Sequence, residues 1–135
     1  LEGEVEVVAV TMDPTEIQNA VSAQLSNNPD IGGVLALGPS AAEPALQALQ
    51  QAGVLDKVKF GTFDLSPGVL RAIADGKMLF AIDQQQFLQG YLPIVFLKKY
   101  AQYGVMPTGT VMTGPGFVTK ENAEPVIEPS KKGLR

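Results

Sequence analysis

One unit recurs along this chain: a short apolar, β-branched run, then a proline-bearing turn, then a stretch with apolar residues every third or fourth position. In the first copy, Val5 to Val10 shows little alternation, the pattern of a strand covered on both faces. Asp13-Pro14-Thr15-Glu16 follows, with a cap at Asp13, a proline at the first helical position and a glutamate three residues after the cap. The spacing of Ile17, Ala20, Val21 and Leu25 gives that helix one buried stripe, and Asn27-Asn28-Pro29 ends it. The second copy places a strand at Gly33 to Leu37, a Gly-Pro-Ser turn, and a helix carrying Leu46, Leu49 and Ala52 that stops at Gly53. The third runs from Val58 to Phe63 through Ser66-Pro67 into Val69, Leu70 and Ile73, ending at Gly76, and the strand Met78 to Ile82 comes next. Such alternation predicts an α/β fold whose βαβ units close right-handed into a parallel sheet flanked by helices on both faces.

After Gln86 the pattern changes. A longer helix is expected over Phe87 to Tyr103, with Leu88, Tyr91, Leu92, Val95 and Phe96 spread over an arc that needs broad cover. Pro93 removes one backbone hydrogen bond inside it, where a bend is expected, and Gly104 closes it. A short strand is read at Thr110 to Thr113. From Gly114 onward, glycine, prolines and Lys131-Lys132-Gly133-Leu134-Arg135 read as a tail with little regular structure.

Composition removes whole classes of chemistry. The chain has no histidine and no cysteine, so His-based triads, thiolate chemistry and the usual zinc sites are excluded, and no cofactor is called for. A net charge of −4 leaves no basic footprint for a phosphate backbone, and nucleic acid is not an expected partner. No nucleophile elbow, phosphate loop or dinucleotide fingerprint occurs, so the chain does not read as an enzyme. The greasiest region, Phe87 to Leu97, is interrupted by Gln89, Gly90 and Pro93 and falls short of the roughly 20 apolar residues that cross a bilayer. The opening Leu1-Glu2-Gly3-Glu4 carries no leader, and any export signal is expected to have been removed or to lie outside this sequence.

In an open parallel sheet, ligands bind beyond the carboxyl ends of the strands. That edge holds Gly38-Pro39-Ser40, Asp64 and Asp83-Gln84. Asp64, at the end of its strand, has either of two uses: accepting hydrogen bonds from two neighbouring hydroxyls, as a sugar offers, or capping the helix near Ser66. Asp83 and Gln84 point to opposite sides of an extended segment, so only one faces a cleft. Gln84 is the choice, because its amide both donates and accepts, although a solvated loop end fits it equally well. Ser40 is read as a helix cap, with Glu43 completing a capping box. A receiver-like signalling domain would use Asp64 and Asp13, but it needs a lysine at a strand's carboxyl end, and Lys77 precedes its strand.

Several stretches resemble the carboxyl lobe of type I periplasmic solute-binding proteins of the ribose-binding-protein group, the sugar-capturing subunits of ABC importers. They are Asn28 to Ala36, Ala45 to Gly53, Gly61-Thr62-Phe63-Asp64, Ile73 to Lys77, Ala81-Ile82-Asp83-Gln84 with Gly90-Tyr91, Thr113-Gly114-Pro115 and Val118 to Asn122. The resemblance implies an incomplete carboxyl-terminal lobe of a two-lobe fold, with residues 1–85 forming the ligand-binding lobe without its first βα unit. Residues 86–104 would be a helix packed on the amino-terminal lobe, 105–114 a returning strand and 115–135 a tail. It puts sugar contacts on Asp64 and Gln84, and a third, usually an asparagine, where this chain has Gly38. Implied partners are a small sugar or polyol, the amino-terminal half of the same protein and the membrane subunits of an ABC importer, with a homodimer of this chain as the alternative to the amino-terminal half. The implied location is periplasmic or extracellular, lipid-anchored or soluble. The sugar-responsive core of lactose-repressor-type regulators shares the architecture and is the alternative reading of function.

Overall fold

The computed structural model describes residues 3–135. Its elements run α1 (Pro14–Asn27), β1 (Gly33–Ala36), α2 (Pro39–Gln51), β2 (Lys59–Phe63), α3 (Pro67–Ala74), β3 (Phe80–Asp83), α4 (Gln86–Tyr103), β4 (Gly116–Val118) and α5 (Glu124–Lys131). The strands form one sheet in the order β1-β2-β3-β4, the first three parallel and β4 antiparallel to β3. The α/β architecture expected from the alternating units is therefore present.

Local chemistry sets the helix starts. Asp13 accepts from the backbone N–H groups of Thr15 (2.8 Å) and Glu16 (3.0 Å), satisfying two donors that helix geometry leaves orphaned. Ser66 does the same for Val69 at 3.0 Å and begins α3. The capping box expected at Ser40 does not form. Gly38 occupies the cap position of α2, since Pro39 with its fixed φ already starts the helix, and Glu43 instead accepts from the Ser66 hydroxyl at 2.6 Å.

The core lies between one face of the sheet and the helices α2, α3 and α5. Ala36, Phe60, Ala81 and Val118 point into it from the four strands, against Leu49, Leu70, Ile73 and Ile127. On the opposite face Leu35 and Phe117 are exposed. There the Phe80 ring lies over Gly61, where a Cβ would stand 2.7 Å from it, and packs on Phe117 with ring centroids 5.7 Å apart. Helices were expected on both faces, but among the described residues they cover only the face that carries Ala36, Phe60, Ala81 and Val118, and α1 packs on α2.

Three expectations about the ends of the pattern are corrected. Gly3 to Met12 forms no strand: its β-branched residues are exposed, no ladder partner is present among the described residues, and Glu6 instead accepts from Gln24 of α1 at 2.9 Å. Residues 110–113 are likewise not a strand; pairing occurs further on, with Gly116, Phe117 and Val118 opposite Asp83, Ile82 and Ala81. The tail is structured. Its prolines fit a helix, with Pro125 in the first turn of α5, and burial of Val126 and Ile127 offsets the backbone bond lost at Pro129. The turn before α5 is held by Asn122, whose amide donates to the Phe117 carbonyl and whose oxygen accepts from Thr119 N–H. The Thr119 hydroxyl donates to the Glu121 carboxylate and holds it below the ordinary glutamate range.

The longest helix, α4, runs unbroken through Pro93, and none of its residues is buried.

Candidate functional site

The parallel register fixes which loops meet. Ala36 lies opposite Thr62, and Phe63 opposite Ile82, so the chain leaves β1, β2 and β3 side by side at the carboxyl edge of the sheet. Gly38, Asp64 and Gln84 all follow these strand ends.

Asp64 and Gln84 are brought together. The Gln84 side-chain amide donates to Asp64 Oδ1 at 2.8 Å, and the Asp64 backbone N–H donates to the Ile82 carbonyl at 2.8 Å. Because Ser66 caps α3, the carboxylate of Asp64 is not spent on that helix. Its Oδ2 has no protein partner among the described residues, and Gln84 Oε1 likewise accepts nothing there. Two acceptors and the remaining amide N–H therefore converge at a half-buried edge, a set that suits neutral hydroxyl groups, each of which donates and accepts.

Gly38 joins this edge without a polar bond to either residue. Its carbonyl accepts from Ala41 and Ala42 N–H as the first turn of α2 forms, and a Cβ added at Gly38 would meet nothing within 4 Å. What it contributes is open space.

Asp83 and Gln84 part as the strand geometry requires. Gln84 is exposed, whereas Asp83 is completely buried. Asp83 Oδ1 accepts from Gln85 N–H at 2.8 Å, and its Oδ2 accepts from Arg135 Nε at 2.7 Å. The Gln84 carbonyl accepts from Thr113 Oγ1 (3.0 Å) and Gln89 Nε2 (2.8 Å). Gly114 passes so close to this turn that a Cβ there would lie 2.9 Å from the Asp83 carbonyl oxygen. Sequence reasoning missed the Arg135 pairing. Nothing in a Lys-Lys-Gly-Leu-Arg run marks one cation for pairing with a buried residue 52 positions earlier.

Backbone strain concentrates at this edge. The non-glycine residues with left-handed φ among those described are Asp64 (62°) and Gln85 (54°). A side chain in that region costs free energy, and such residues gather where function requires a set geometry. Beside Gln84 an open depression of about 360 Å³ is lined by Phe63, Ile82, Gln89 and the 111–115 segment.

Residues 1–104 match the family profile of the periplasmic binding protein domain. A xylose/arabinose-binding protein of Sulfolobus acidocaldarius is 29% identical over 134 residues, covering 94% of this chain and 33% of that protein. Among solved structures, a carbohydrate transporter from Acidothermus cellulolyticus in complex with myo-inositol is 34% identical, with a TM-score of 0.80 over 91% of this chain and 43% of its own. A carbohydrate transporter solute-binding protein from Agrobacterium radiobacter, in complex with D-arabinose, is 28% identical, with a TM-score of 0.71 over 87% of this chain and 40% of that one. The chain thus spans about a third of the curated relative's length and less than half of these structures.

Proposed function

The chain belongs to the periplasmic binding protein domain family, and from that premise we propose that it supplies the carboxyl-terminal ligand-binding lobe of a protein that captures a neutral sugar or cyclic polyol for an ABC importer. The observation that carries this reading is the Asp64–Gln84 pair, a carboxylate and an amide joined at 2.8 Å with their remaining acceptors open. A carboxylate accepting from adjacent hydroxyls makes charge-assisted hydrogen bonds, stronger than those between neutral groups. Gly38 leaves room beside the pair for a ring substituent. Similarity to proteins described as binding xylose and arabinose, myo-inositol and D-arabinose supports the same ligand class. The protein acts by binding, without catalysis, on the periplasmic or extracellular side, and no helix among the described residues is long and apolar enough to cross a membrane.

The reading extends to the domain plan. The bare sheet face around Leu35 and Phe117 and the uncovered helix α4 are surfaces that the amino-terminal part of the same protein would cover. Sedimentation of this chain at micromolar concentration, with and without the separately produced amino-terminal part, tests that plan. Complementation supports it, a homodimer replaces it, and a compact monomer that binds sugar without the amino-terminal part contradicts it.

Calorimetric titration of the intact protein with D-arabinose, xylose and myo-inositol is the direct test of function. Asp64→Ala is expected to abolish binding while leaving the fold intact, since a strand-end carboxylate serves the ligand more than the core. Gln84→Ala is expected to weaken binding by about 1–3 kcal/mol, the cost of an unpaired buried polar partner. Parental affinity in Asp64→Ala would remove the site from this edge.

A further inference from the structure

Asp83 is a fully buried carboxylate that contacts no ligand position, and its two oxygens are committed to different parts of the chain. Oδ1 holds the N–H of Gln85, a residue in left-handed backbone, and Oδ2 holds Arg135 Nε, which lies just beyond α5. Gln84 sits between these two residues, so the direction of its side chain is set by the turn that Asp83 and Gln85 make. We propose that Arg135 is a positioning residue for the ligand site: by neutralising Asp83 it keeps the carboxylate facing Gln85 N–H, which keeps the turn left-handed and Gln84 within reach of Asp64.

The physical argument runs through burial. A carboxylate with no exposed surface is tolerated only while it is paired, and removing one partner leaves a charge that must find water or a proton. Arg135 is the cation bonded to Asp83 among the described residues, and its guanidinium is partly exposed, so its loss opens a path for water to Oδ2. Protonation weakens the acceptor that Gln85 N–H needs, and hydration frees the carboxylate to turn away from it. Left-handed backbone at a non-glycine residue persists only when its surroundings hold it. The other restraints on the turn, from Thr113 and Gln89, fix the Gln84 carbonyl and leave its side chain to follow Gln85.

The proposal rests on the sugar-binding reading for its affinity readout only, and a second measurement separates the two. In the intact protein, titrated with D-arabinose and myo-inositol, Arg135→Ala is expected to weaken binding about tenfold, within the range of coupling between contacting groups. Arg135→Lys should recover most of that loss, and Asp83→Asn combined with Arg135→Ala should lose no more than the worse single variant. Amide exchange at Gln85, followed by NMR without ligand, should quicken in Arg135→Ala and return towards the parental rate in Arg135→Lys. The proposal is overturned if Gln85 protection is unchanged in Arg135→Ala. It is also overturned if both variants lose the same thermal stability while native-state affinity stays parental, which would make Arg135 a tether. If Arg135→Ala does not fold, Arg135→Lys and the Gln85 exchange rate decide alone. Failure of the parent to bind either probe would sink the sugar reading and leave the exchange test standing.

Discussion

Helices α3 and α4 make opposite use of apolar residues. The shorter, Pro67–Ala74, buries Val69, Leu70, Ala72 and Ile73 against the sheet and α5, and the longer, Gln86–Tyr103, buries none. Phe87, Tyr91, Ile94, Leu97 and Tyr100 all stand exposed on α4. The difference teaches that apolar content does not by itself place a helix in a core; an opposing surface must exist for the content to act on. One helix is fixed by what this chain folds, while the other carries a surface that this chain leaves uncovered.

The sharpest way to break the comparison is to truncate one apolar residue on each helix. Leu70→Ala in α3 removes a fully buried side chain and should cost about 2–5 kcal/mol in denaturant unfolding, through lost burial plus the cavity left behind. A parental midpoint would mean that α3 is not a core helix. On α4 the same kind of change, Ile94→Ala, should alter the stability of the 135-residue chain by no more than about 0.5 kcal/mol, as exposed positions do. Repeated in the intact protein, Ile94→Ala should become a core-sized loss if the proposed amino-terminal part covers α4, and an unchanged midpoint there would reject that cover.

The smallest effect lies near α5 and depends on pH. Glu121 titrates below the ordinary glutamate range, chiefly because the Thr119 hydroxyl donates to it. A carboxylate with a depressed folded-state value stabilises the fold above its unfolded value, and that contribution is lost as pH falls through the folded value. Thr119→Val should therefore raise the Glu121 midpoint towards the ordinary range in an NMR titration and remove its share of the acid-side loss. A midpoint that stays depressed would assign the shift to the backbone bond instead.

The βαβ rhythm was legible because its signals are local. Caps at Asp13 and Ser66 and the stripe at Val69, Leu70 and Ile73 each lie within one turn or two of the structure they specify. So was the placement of Asp64 and Gln84 on one edge, since parallel strands deliver their ends there, although their direct bond was not. What escaped depends on distant partners. Val5 to Val10 has strand-forming residues and, among the described residues, no strand beside it, α5 is fixed by burial against α3 that no eight-residue window contains, and Ser40 loses its cap role as Pro39 starts the helix. Arg135 belongs to the same group, because its pairing follows from the arrival of the chain, which composition does not encode.

The alternation at the end of β3 makes ligand chemistry a matter of odd and even. Asp83 ends β3 facing the interior, and Gln84, the first residue beyond the strand, continues the alternation and faces outward. Insert one residue between Phe80 and Asp83, and the parity shifts: Ile82 or the inserted residue would take the interior position facing Arg135, and the Asp83 carboxylate would emerge beside Asp64 in place of the amide. Two like charges at that edge would repel each other and invite a cation, so the proposed site for neutral hydroxyls would change its guest through a shift of parity alone. Under the proposed reading, the four-residue length of β3 is as informative about recognition as the identity of the side chains it carries.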